Sequence, residues 1–151
     1  MSTVPAVMTA LKALLEATLS TDWQVAYGSR DAVTVTRNYL AVVRGAVAED
    51  HLGTMELSRS AESYTVRVEL SGSIAGGGDE TLQTVTTNVF AAKKLIERTL
   101  RELPAGPDLG LSADGVLQAL MLKAWDFTPA ADSEKREAHV GTNVHVIAQN
   151  T

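Results

Sequence analysis

Residues 64–100 read YTVRVELSGSIAGGGDETLQTVTTNVFAAKKLIERTL, and this stretch decides the fold class. Tyr64, Val66, Val68 and Leu70 alternate with Thr65, Arg67, Glu69 and Ser71. A period of two sends one set to the core face of a strand and the other to water. Gly76-Gly77-Gly78 breaks the alternation. From Asp79 to Leu103 the period changes, and Leu82, Val85, Val89, Ala92, Ile96, Leu100 and Leu103 form a stripe flanked by Phe90 and Leu95. Spacings of three and four residues predict a long amphipathic helix, with Lys93, Lys94, Arg98 and Arg101 on its wet side. Pro104, Gly106 and Pro107 terminate it.

Towards the N-terminus, Val4, Val7, Met8, Leu11, Leu14, Leu15 and Leu19 predict a half-buried helix. Thr3 is placed to cap it, Pro5 is tolerated in its first turn, and Ser20-Thr21-Asp22 ends it. Trp23, Val25 and Tyr27 open a strand, and a Gly-Ser-Arg-Asp turn leads to Val33 and Val35. Residues 39–48 are apolar on both faces, as in a central or doubly covered strand. A polar turn at Glu49-Asp50-His51 precedes a short strand at Met55 and Leu57. Beyond the long helix, residues 104–114 read as a loop, 115–127 as a two-sided apolar strand with a helical alternative, and 128–136 as a charged loop. Residues 137–149 form a last strand, with Val140, Val144 and Val146 inward and His139, Asn143 and His145 outward. This order predicts a single α+β domain over residues 1–151: a mostly antiparallel sheet packed against an N-terminal helix and one long central helix.

Bulk composition narrows the function classes. A chain of 151 residues buries roughly 70% of its unfolded surface, enough for a core without staples. Cysteine is absent, which excludes a disulfide framework and thiolate metal sites. The net charge of -5 and the scattered Lys and Arg argue against a non-specific nucleic-acid or anionic-membrane binder. No apolar run is long enough to predict a transmembrane helix, and no basic segment followed by an apolar one predicts secretion.

Catalytic patterns are missing. Strand, glycines and helix around residues 72–79 resemble a phosphate cradle, but Gly-Asp-Glu-Thr stands where Gly-Lys-Ser/Thr is needed. Asp79 and Glu80 at the positive end of the helix dipole would repel a phosphate and suit capping instead. His139 and His145 share a strand face about 20 Å apart, too far to ligate one metal. His51 lies in an acidic turn, and Asp132 with Glu134 in a polar loop, where burial would not raise a carboxyl pKa. No Gly-x-Ser-x-Gly elbow occurs. No enzyme, cofactor or metal site is expected. Most aromatic residues fall at inward positions, so core is their default role. The surplus apolar surface of 39–48 and 115–125 is the signature of a subunit interface, unless helices cover one face and loops the other.

In layout the chain resembles a tail terminator (tail completion) protein of long-tailed bacteriophages. The likeness lies in the N-terminal helix before Trp23-Gln24-Val25, the Leu40-Ala41-Val42-Val43 strand, the strand from Tyr64 to Leu70, and the long helix after a Gly/Asp turn. Pro107-Asp108-Leu109-Gly110 follows, then a strand from near Val116 and a closing strand from Val140 to Ala148. The family often reads Pro-x-Leu-Gly-Gly-x-Val here; in this chain Leu111-Ser112-Ala113-Asp114 intervene before Gly115-Val116. The resemblance implies a virion protein, assembled in the host cytoplasm, that forms a hexameric ring on the head-proximal end of the tail tube. Its partners would be further copies of itself, the tail tube protein and a head-closure or neck protein, with DNA passing through the channel without specific binding. Loops 72–79 and 126–137 are the expected contact regions, through Gly76, Gly77, Gly78, Asp79, Asp132, Glu134, Lys135 and Arg136. A head-closure or adaptor protein shares this texture. A different class, a small-molecule-binding α+β domain, would need convergent polar groups at inward positions that are here almost wholly apolar.

Overall fold

The computed structural model describes residues 2–28, 35–48, 60–102, 108–131 and 134–150. Helix α1 (Val4–Thr18) is followed by β1 (Trp23–Tyr27), β2 (Tyr39–Ala48), β3 (Ser60–Ala75), helix α2 (Asp79–Arg101), a 3-10 turn (Ser112–Asp114), β4 (Val116–Ala131) and β5 (Lys135–Asn150). The strands form one sheet in the order β1-β2-β3-β5-β4. β1 runs parallel to β2, and every other pairing is antiparallel. The α+β class and the two helices are as expected.

Both helices lie on one face of the sheet. α1 buries Val7, Met8, Leu11 and Leu15, and α2 buries Val85, Val89, Ala92, Ile96 and Leu100. They share one core with Tyr64, Val66, Val68 and Leu70 of β3 and Val140, Val144 and Val146 of β5. Each such side chain contributes about 1.5–3 kcal/mol on burial. Gly72 sets the closeness of α2: a Cβ there would sit 2.6 Å from Val85 Cγ2 and 2.7 Å from Tyr39 Cε1. On the opposite face Ala26, Leu40 and Val42 form a second, small buried cluster, so β2 is covered on both sides over Tyr39–Val43. Beyond Val43 the cover ends, and Val47 is 72% exposed, against the expectation of a doubly covered strand over 39–48.

Several expectations are corrected. Thr3 occupies the N-cap position of α1, but its side chain makes no cap bond. Its hydroxyl lies 3.0 Å from Glu62 Oε2 and 2.9 Å from the Tyr64 hydroxyl, and its N–H donates to Glu62. A carboxylate on β3 thus serves the positive end of the helix in place of a local cap. Val35 is exposed and outside any strand. β3 extends beyond 64–71 at both ends, so residues 72–75 are strand and not loop. The stretch 115–127 is strand from Val116 onward. The charged loop read at 128–136 is also largely strand, because β4 runs through Pro129 to Ala131 and β5 begins at Lys135. Proline lacks a donor, yet β4 is an edge strand, where an unpaired position is tolerated. Tyr27 and Trp125 are exposed, against the expectation of core, and Lys93 is mostly buried at the side chain. Val33, the turn at 49–51, His51, Met55, Leu57, Leu103, Pro104, Asp132 and the rest of 29–34, 49–59 and 103–107 lie outside the described residues.

Candidate assembly surface

The two stretches expected to make contacts meet at one end of the sheet. Ala75 pairs with Lys135 and Ile74 with Arg136, and the Gly76 N–H donates to the Glu134 carbonyl at 2.8 Å. A Cβ on Gly77 would lie 3.6 Å from Arg136 Nη2. Gly76 and Gly78 have φ of +117° and +94°, the left-handed region that suits glycine, so the chain turns sharply from β3 into α2. Asp79 then enters the first helical turn. Seven of the eight expected residues are therefore brought to the same end of the fold, and Asp132 lies outside the described residues. Nearby, Glu137 is 3.0 Å from Lys135 and 3.3 Å from His139. Burial alone would raise the Glu137 carboxyl, but the hydrogen bonds and charges of these two neighbours outweigh it and hold its pKa below the ordinary value.

A second surface lies on the outer edge of β4. Leu117, Leu120, Leu122 and Trp125 are 53%, 37%, 38% and 50% exposed. They make up most of the exposed large apolar residues among those described. Two irregularities in the β4–β5 register, at Val116/Gln118 and Met121/Trp125, throw Leu117 and Leu122–Ala124 out of the ladder. Trp125 stands edge-on to Phe90 with ring centroids 5.2 Å apart, Phe90 packs against Phe127 at 5.4 Å with the ring planes tilted by 57°, and Lys93 Nζ lies 5.8 Å from the Trp125 ring centre. This edge has no strand partner among the described residues. The sequence carried a signal for it in the two-sided apolar run at 115–125. The period alone hid which leucines face out, because the bulges reset the alternation.

The opposite edge is partly closed by side chains. Arg37 Nη1 donates to the Trp23 carbonyl at 2.6 Å, and the Thr36 N–H donates to Gln24 Oε1 at 2.9 Å. A groove of about 300 Å³ runs between the end of α1 and α2, over Leu19, Trp23, Tyr39, Ala91 and Leu95, with Asp22 on its rim.

The helix-free face carries a charge ladder. Arg44 bonds Glu69 at 3.1 Å, Arg67 contacts Glu69 at 3.5 Å, and Arg67 reaches Asp126 at 2.9 Å. Gly141 permits this crossing of β5, because a Cβ there would lie 2.0 Å from Arg67 Nη2. The hollow beside it, about 250 Å³, is also lined by Ser71, Thr128 and His139. Ser63 Oγ lies 3.0 Å from His145 Nε2. Among the described residues no group of three or more His, Cys, Asp or Glu is arranged to hold a metal, and no helix is long and apolar enough to cross a membrane. No protein-family model matches the chain, and no curated protein matches it.

Proposed function

We propose that this chain is a structural subunit of a phage tail, forming a ring, hexameric as in tail terminators, on the head-proximal end of the tail tube. The observation that carries the reading is the long outer edge of β4, unpaired among the described residues and lined by Leu117, Leu120, Leu122 and Trp125. A concentrated apolar patch on a strand edge marks a protein contact. The glycine turn and the β4–β5 hairpin end, gathered at one pole, supply a second, polar surface for the tail tube or a neck protein. The net charge of -5 suits a channel through which DNA slides without sticking. The role is scaffolding and not catalysis, and its place is the virion neck.

The other neck roles, head closure or adaptor, share the same edge and differ in the partner bound. The small-molecule reading is disfavoured by one observation: the space between the sheet and α2 is filled by Val66, Val68, Leu70, Val85, Val89 and Ile96, all buried.

Light scattering over a wide concentration range, with negative-stain images, tests the proposal. A species near six times 16.0 kDa with an annular outline is expected, either alone or on added tail tubes of the same phage. A chain that stays monomeric and neither caps nor cosediments with those tubes overturns it.

A further inference from the structure

We infer that copies of this chain join head to tail, the bulged Leu122–Trp125 stretch of β4 in one copy seating in the α1–α2 groove of the next. This rests on the ring reading above and supplies the two different patches that a ring contact needs.

Position is the first support. In the order β1-β2-β3-β5-β4 the groove lies over β1 and β2, through Trp23 and Tyr39, while the bulge lies on the far edge. Two unlike patches on opposite flanks give a heterologous contact, which closes into a ring when the rotation per subunit allows. Two copies of one patch would instead give an isolated pair.

Chemistry is the second. From Val116 to Trp125 the strand carries one charge, Lys123. Of the residues lining the groove one is charged, Asp22; Glu16 and Arg37 line the hollow on one side of it, and Lys94 and Arg98 the hollow on the other. The Lys123 and Asp22 side chains are exposed, and neither has an ion pair among the described residues. Each apolar patch therefore holds a single charge, and the two are opposite in sign. Seating the bulge brings Lys123 to Asp22 while Leu122 and Trp125 cover Leu19, Ala91 and Leu95. Tryptophan is a frequent anchor in such contacts, and the rim charge pair selects the register more than it supplies affinity.

Charge reversal tests the contact in the full chain, with light scattering as the readout. Lys123→Glu and Asp22→Lys should each weaken self-association about tenfold or more, since like charges are then juxtaposed. An equimolar mixture of the two variants should restore assembly, because in an alternating ring every contact again joins opposite charges. Both sites are exposed, so melting curves should match the parent. Lys123→Gln and Asp22→Asn, with smaller losses, repeat the test without reversal. If the parent forms rings but the single variants assemble equally well, or the mixture fails to recover, this contact is wrong and the ring reading survives. If the parent neither assembles nor caps tail tubes, the ring reading falls and this contact falls with it.

Discussion

Strand β1 spans five residues and ends the sheet on one side, while β4 spans sixteen and ends it on the other. β1 buries Trp23 and Ala26, and Arg37 meets its Trp23 carbonyl, with Thr36 held on the Gln24 side chain. β4 holds its inner side on β5 and leaves apolar side chains outside, on a backbone edge with no strand partner among the described residues. An unmet strand edge invites pairing with another chain, and proteins ordinarily shorten, cover or charge it. Here one edge is short and partly met by side chains, and the other is long and apolar, with no strand partner among the described residues. On the proposed reading, the difference leaves the β4 edge for a partner, whereas β1 ends the sheet on the other side.

The strongest way to break the comparison is to unseat β4. Gly115 precedes the strand at φ +98°, and a Cβ would lie 2.1 Å from the Gln149 carbonyl oxygen. Backbone cannot swing aside as a flexible side chain does. Gly115→Ala should cost about 2–3 kcal/mol in urea unfolding, with the loss of exchange protection concentrated in β4. Loss spread evenly over the sheet would contradict the view of β4 as a separately anchored edge. Trp125→Ala removes the edge-on contact with Phe90 and should cost about 1–2 kcal/mol, limited because half the ring is already in water. Assembly should suffer far more than folding.

On the closed side, Arg37→Ala leaves the Trp23 carbonyl without its donor. A loss of about 1 kcal/mol is expected in thermal melts, together with new concentration-dependent scattering as the β1 edge opens. Unchanged scattering would mean that Arg37 does not guard that edge.

The smallest effect is the acid response. Burial alone would raise the Glu62 pKa, but bonds from Ser2 and from the Thr3 N–H and hydroxyl outweigh it and lower the value. A carboxyl lowered in the folded state adds stability above its unfolded pKa, and that contribution fades as pH falls through the lower folded value. Hydrogen exchange should therefore show α1, which packs on β1 and β2, loosening below about pH 4.3 before the β4–β5 half does. Glu62→Gln should flatten this response. At the opposite extreme Tyr64, raised first by burial and also by Glu62, against a bond from Thr3, loses its contribution as pH climbs beyond the ordinary tyrosine range.

Much of the fold was legible because period reports environment directly. The alternation at 64–71 and 137–149 and the stripe of α2 from Leu82 to Leu100 appear in the sheet and helix as read. Thr3 misled because its preference for N-caps is local, whereas Glu62, distant in sequence, offered a stronger acceptor. Residues 128–131 misled because Pro129, followed by the charged run that starts at Asp132, reads as loop, although an edge strand accepts a proline. Of the candidate contact residues, the glycine turn and the hairpin end were found separately. Their meeting, through Gly76 and Glu134, was not readable from either stretch.

The sequence by itself determined the two helices, the strands at 64–71 and 137–149, the single wet face of β3 and the placing of glycines where the chain turns into α2, since each depends on spacing over a few residues. The tertiary structure alone decided that both helices share one face, that β1 joins β2 in parallel, and that β4 becomes an edge strand with Leu122 and Trp125 exposed. Strand order and bulge position arise from which distant segments pair, and hydrophobic period is blind to that choice.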